Sequence, residues 1–191
     1  MDRTIQQSIQ GSISVKTAIL ADAAFLQKIA RAARHLIATF RADGKVLLCG
    51  NGGSAADAQH IAAELSVRFY TDRPPLYAEA LHVNSSYLTA VANDYGYDDV
   101  YARMVQAAGR TGDVLAAFST SGNSPNVLKA IEMAKQQGMI VVGFTGASGG
   151  KMAALCDVLL NVPSADTPRI QEAHILIGHI ICEIVEKEMF A

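Results

Sequence analysis

Asp57, His60, Glu64 and Arg68 stand three, four and four residues apart, a spacing that stacks them along one face of a helix. His60 and Glu64, at i and i+4, can share a metal ion or pair a base with an acid. A solvated helix face with weak ion pairs has the same pattern, so spacing leaves both readings open. Near the C-terminus Gln171, His174 and His179 interrupt a segment that is otherwise apolar on nearly every side. Such a helix is buried, and its imidazole and amide groups need partners, either structural ones or a ligand. Spacing does not choose between His174 and His179. His35 and His82 have no matching neighbours and read as structural or exposed.

A second kind of chemistry is written into residues 113–128. Val114-Leu115-Ala116-Ala117-Phe118 runs into Ser119-Thr120-Ser121-Gly122-Asn123-Ser124-Pro125 and then into an apolar-periodic stretch, the order strand, polar loop, helix. Ser124 is a preferred N-cap and Pro125 suits the first helical turn. Hydroxyls, an amide and a glycine therefore gather where helix N–H groups lack partners and the dipole is positive, which suits an anion such as phosphate. Ordinary turns share this composition. The loop lacks the lysine of a nucleotide-hydrolysing P-loop and the glycine spacing of a dinucleotide fingerprint.

The elements that must position these groups follow from the pattern of apolar runs. Apolar residues at helical spacing from about position 4 to 41 predict one or two helices. Lys45-Val46-Leu47-Leu48-Cys49-Gly50 reads as a strand buried on both faces. Asn51-Gly52-Gly53-Ser54 follows, with Ser54 expected as N-cap and Asp57 at N3 in a variant capping box. Residues 76–83 predict a strand, 85–92 and 98–107 short helices, 125–137 a helix, 139–144 and 158–162 two more strands, and Pro168 opens a last helix. Alternation of this kind predicts a three-layer αβα sandwich on a five-stranded parallel sheet. Ligands then collect beyond the carboxyl ends of the strands, where residues 51–54 and 119–124 can line one crevice.

At 191 residues, half of them hydrophobic, the chain suits a single domain. A formal charge of −2 gives no basic excess for extended nucleic-acid contact. The amino terminus lacks the pattern of a signal peptide, and residues 175–185, broken by His179 and Glu183, are too short to cross a bilayer. Cys49, Cys156 and Cys182 are odd in number and set among apolar residues, as reduced thiols are. The expectation is a cytoplasmic protein with no membrane and no nucleic-acid partner.

Several motifs together carry a family resemblance. Cys49-Gly50-Asn51-Gly52-Gly53-Ser54-Ala55-Ala56-Asp57-Ala58-Gln59-His60, Ala92-Asn93-Asp94-Tyr95-Gly96, the loop 119–124, Thr145-Gly146 and Arg169-Ile170-Gln171-Glu172-Ala173-His174 stand in the order found in phosphoheptose isomerases. The chain resembles that family over nearly its whole length. The resemblance implies a flavodoxin-like sugar-isomerase (SIS) domain spanning 1–191 with an N-terminal helical extension, a homotetramer, and one zinc ion per subunit on His60, Glu64, Gln171 and His179. It implies substrate contacts at Asn51, Gly52, Gly53, Ser54, Glu64, Asn93, Asp94, Ser119, Thr120, Ser121, Ser124 and Gln171, with Arg68 nearby. Its activity would be aldose–ketose isomerisation of a heptose phosphate on the way to lipopolysaccharide or another surface polysaccharide, with Glu64 as base and His179 as acid. Some members carry an acid directly before Arg-Ile-Gln, where this chain has Pro168 and its closest acid on that side is Asp166. A competing reading is a non-catalytic SIS-domain regulator that binds a replication initiator. That type lacks a carboxylate at the position of Glu64.

Overall fold

Two runs without a polar residue, Val46–Cys49 (β1) and Val114–Phe118 (β3), pair as neighbouring strands, buried at every position, in a computed structural model that describes residues 1–190. Ala78–Ala80 (β2), Ile140–Thr145 (β4) and Val158–Asn161 (β5) complete a sheet of order β2-β1-β3-β4-β5, parallel throughout. Parallel neighbours need long crossovers. Helices Gly53–Ser66 (α3), Ser85–Asp94 (α4), Val100–Ala108 (α5) and Pro125–Gln136 (α6) supply them as far as β4, and a short 3-10 turn, Gly150–Ala154, lies in the last, between β4 and β5.

Strand side chains alternate between two cores. Val46, Leu48, Val114, Ala116, Phe118, Val142 and Phe144 join Ala23–Arg41 (α2), α3 and Thr167–Phe190 (α7) on one face. Leu47, Cys49, Leu115, Ala117 and Val141 join α4, α5 and α6 on the other. The expected αβα sandwich is therefore present, with the strand order of a doubly wound flavodoxin-like sheet. Its direction of winding reverses between β1 and β3, the place where such sheets open a crevice.

The N-terminal region forms two helices, Asp2–Ala21 (α1) and α2, bent by 83° at Asp22, whose side chain accepts the Phe25 N–H at 3.0 Å. Ile19 is the one buried residue of α1, while Ile5, Ile9, Ile13 and Leu20 are exposed. No single helix among the described residues is long and apolar enough to cross a membrane.

Three local expectations need correction. The helix after β1 starts at Gly53 with Gly52 as N-cap and no side-chain cap. Ser54 is thus inside the helix and buried, and Asp57 does not close a capping box. The reason is backbone: Gly52 adopts φ +56°, which only glycine takes cheaply, and turns the chain into the helix two residues earlier. α3 also ends at Ser66, so Arg68 lies beyond the helix, exposed, and does not continue the stripe. The strand expected over 76–83 shrinks to β2, because only three residues find register against β1 at the sheet edge.

Candidate functional site

α3 and α7 lie side by side, and their contact brings to His60 and Glu64 a third side chain 119 positions beyond His60. His60 Nε2 lies 3.1 Å from Glu64 Oε1 and 3.2 Å from His179 Nε2. All three potential ligand atoms fall within 4.8 Å of one another. Gly178 allows this approach, since a Cβ there would come within 2.5 Å of Ile61 Cδ1 on α3. Phe69, from the segment after α3, sets its ring 5.6 Å from that of His179. Burial, and then the neighbouring His60, lowers the pKa of His179. The neutral ring keeps a lone pair on offer.

These separations fit a cation. Nitrogen and oxygen ligands about 2.0–2.1 Å from a shared tetrahedral ion stand roughly 3.3 Å apart, close to the two spacings from His60 Nε2. Two imidazoles and a carboxylate are a usual donor set for zinc, with a further position open.

Gln171 lies eight residues before His179 on α7, about 12 Å along the axis. Its amide rests on the start of α3, where a Cβ added to Gly53 would come within 2.6 Å of Gln171 Nε2. His174 is placed elsewhere. It is fully buried, its Nε2 donates to the Thr145 carbonyl at 3.1 Å, and its ring meets Phe118 and Phe144 edge-on. Burial takes its pKa down to about 4, partly offset by the Thr145 carbonyl, so it is a neutral core residue. Between the two histidines that spacing left open, tertiary packing sends His179 to the cluster. Asp57 stands one turn before His60, with Oδ2 buried and without a partner among the described residues. Burial raises its pKa to about 6 against the opposing pull of His60.

At the carboxyl end of β3 the hydroxyl loop is tightly built. Ser119 Oγ and Ser124 Oγ are 2.9 Å apart, Ser121 Oγ accepts the Asn123 N–H at 3.2 Å, and Thr120 holds the Gly146 N–H through its carbonyl at 2.9 Å. Gly122, at φ +67°, lies against the Gly149 carbonyl where no Cβ fits. Ser124 does occupy the N-cap position and Pro125 follows it, as expected, but the Ser124 side chain makes no cap bond. Asn126 takes the Val127 N–H instead, at 2.9 Å. A cavity of about 290 Å³ adjoins the loop, lined by Thr120, Ser121, Asn123, Ser148, Ser164 and Thr167 among others. Asp166 and Pro168 are exposed near its rim, at the start of α7.

The loops after β1 and β3 are joined through two amides. Asn51 Nδ2 donates to Asn126 Oδ1 at 2.9 Å, and Asn126 Nδ2 donates back to Asn51 Oδ1 at 2.8 Å. Tyr97 O–H reaches the same Asn51 oxygen at 3.3 Å. Asn93 and Asp94 end α4 on the surface, bonded to each other at 2.8 Å. Asn126 and Tyr97 were missed in the sequence, although a polar residue in the first turn of α6 was a visible signal. Nothing local announced Tyr97.

The family model described as SIS domain matches residues 15–146. A phosphoheptose isomerase of Aneurinibacillus thermoaerophilus is 55% identical over 190 residues, covering 100% of this chain and 96% of that protein. One of Burkholderia pseudomallei is 55% identical over 97% of this chain and 94% of its own length. Among solved structures, a phosphoheptose isomerase from Neisseria gonorrhoeae superposes with TM-score 0.92 at 43% identity, covering 97% of this chain and 98% of that one. A second, from Francisella tularensis, gives 0.93 at 38% identity, with 97% of each covered.

Proposed function

The chain belongs to the phosphoheptose isomerases of the SIS-domain family, and we propose that it moves a proton between C1 and C2 of open-chain sedoheptulose 7-phosphate with Glu64 and His179. The reaction is aldose–ketose isomerisation to D-glycero-D-manno-heptose 7-phosphate through an enediol. The observation that carries the assignment of roles is the convergence of His60, Glu64 and His179 between α3 and α7.

Glu64 is the base. Its Oε1 meets His60, and its carboxylate takes the proton from one carbon of the substrate and returns it to the neighbouring one. His179 faces the same point from α7 and serves the oxygen side, donating a proton as negative charge develops there. The phosphate rests on the hydroxyls of Ser119, Thr120, Ser121 and Ser124 at the start of α6, and binding energy gained far from the chemistry orients the reacting carbons. Asn51, Gly52, Gly53, Ser54, Asn93, Asp94 and Gln171 border the sugar, with Arg68 at its edge.

His60, Glu64 and His179 would hold one zinc ion, and the family resemblance adds as fourth ligand Gln171, whose amide lies at the start of α3. When bound, zinc supplies Lewis-acid polarisation of the substrate oxygen. The exposed isoleucines of α1 support a homotetramer, since an apolar stripe without a partner on its own sheet is buried against a second subunit. In this reading residues 1–191 are a single SIS domain and α1 with α2 are its helical extension. The enzyme works in the cytoplasm at the start of a route to the heptose of lipopolysaccharide or another surface polysaccharide. The competing regulator reading has no support among the relatives, which are named isomerases.

The test is an NMR assay of purified protein with sedoheptulose 7-phosphate, with and without chelator. Appearance of the aldose, lost on metal removal and restored by zinc, is expected. A metal-replete protein that leaves the ketose unchanged would overturn the reading.

A further inference from the structure

Asn126 is 2% exposed and belongs to α6, and its side chain makes three hydrogen bonds, one with the Val127 N–H at the start of its own helix and two across to Asn51 in the neighbouring loop. The Val127 N–H fixes its orientation, because an amide oxygen must face that donor. With Oδ1 so placed, Nδ2 points at Asn51 and dictates the orientation of that amide as well. Asn51 then presents Nδ2 to Asn126 and its oxygen to both Asn126 and Tyr97. Its acceptor capacity is filled before any substrate arrives. Tyr101 secures the adjoining peptide, its O–H donating to the Gly50 carbonyl at 2.5 Å.

The two loops joined in this way do different jobs. One carries the hydroxyls for phosphate, and the other leads through Gly52 and Gly53 into α3, which carries His60 and Glu64. We propose that Asn126 is a positioning residue that acts through Asn51 to fix the separation between the phosphate loop and the α3 chemistry, and so sets the length of sugar phosphate that reacts. The proposal rests on the isomerase reading of the same crevice. A reciprocal amide pair, half-buried at Asn51 and buried at Asn126, suits this task, since it has one arrangement that satisfies both partners and removal of either leaves the other unpaired.

The experiment uses the full chain with zinc added. Binding of sedoheptulose 7-phosphate and of inorganic phosphate is measured by calorimetry, alongside turnover, for wild type, Asn126→Ala, Asn51→Ala and the double variant. Asn126→Ala is expected to lower kcat/KM and sugar-phosphate affinity by about 10–100-fold, while inorganic phosphate binds within about twofold of wild type. The double variant should be no worse than Asn51→Ala alone, because Asn126 acts through Asn51. A parallel loss of inorganic phosphate binding, fully multiplying effects, or unchanged kcat/KM would each overturn the proposal. Should Asn126→Ala fail to fold, Asn126→Ser retains an acceptor for the helix start and is read by the same criteria. A wild type that binds the sugar phosphate without converting it defeats the isomerase reading and leaves the binding comparison to decide this one. A wild type that binds no sugar phosphate defeats both.

Discussion

Arg73 Nε donates to Glu186 Oε2 at 3.1 Å, with the two side chains only 2% and 5% exposed. The same carboxylate accepts the N–H groups of Phe69, Tyr70 and Thr71, and Arg73 also donates to the carbonyls of Glu64 and Leu65. This pair therefore fastens the segment after α3 to α7, directly beside Glu64 and the Phe69 ring that packs on His179. Glu186→Ala would leave a buried guanidinium and three N–H groups without an acceptor, and should cost about 3–5 kcal/mol in urea unfolding. Glu186→Gln keeps an acceptor oxygen and should cost less. Equal stability of the alanine variant and wild type would refute this account.

Acid should destabilise the protein in two windows. His174 has a folded pKa of about 4 against a usual 6.5, so its contribution is whole above 6.5 and is lost as pH falls towards 4. Burial pushes the Glu186 carboxyl up, but the N–H groups of Phe69, Tyr70 and Thr71 with Arg73 outweigh it and hold the pKa at about 2, below the usual 4.5. Its contribution is whole above 4.5 and is lost towards 2. His174→Gln can still donate to the Thr145 carbonyl and does not titrate. Denaturation midpoints against pH should flatten between 6.5 and 4 in that variant; an unchanged slope would assign the window to another group.

The phosphate site can be probed at its paired hydroxyls. Replacing Ser119 and Ser124 together by alanine should weaken sedoheptulose 7-phosphate binding by about tenfold or more, as lost hydrogen bonds to a charged group do. Binding that stays the same would place the phosphate elsewhere.

Glu64→Gln keeps the size of the side chain and an oxygen ligand but removes the basic carboxylate. Turnover should fall by about 10²–10⁴-fold in protein that still holds zinc, as measured by metal analysis, and still binds the sugar phosphate. Solvent deuterium should enter C1 or C2 in wild type, because an enediol route exposes the transferred proton. Normal turnover by the metal-replete variant would remove Glu64 as base.

Assembly is checked by light scattering at micromolar concentration. A mass four times that of the chain is expected, and replacing Ile5, Ile9 and Ile13 on the exposed face of α1 by lysine should lower it. A monomeric wild type would rule out the tetramer.

The sequence by itself determined the layers and the loops. Continuous apolar runs at β1, β3 and β4, each followed by Gly/Ser residues and, after β1 and β3, by a helical period, leave a parallel sheet covered on both faces as the consistent arrangement. That arrangement puts residues 51–54 and 119–124 at strand ends, because the signal is local and each loop carries its own turn chemistry. The i, i+4 pair of His60 and Glu64 was legible for the same reason. Tertiary structure alone decided which distant groups joined them. His174 and His179 sit on one helix five residues apart, and only the angle at which α7 packs on α3 and the sheet turns one to the Thr145 carbonyl and the other to His60. The Asn51–Asn126 and Arg73–Glu186 pairs are equally silent in the chain, since residues 75 and 113 positions apart share no local pattern. Their pairing exists because buried polar groups must find partners, and the fold determines which partners are within reach.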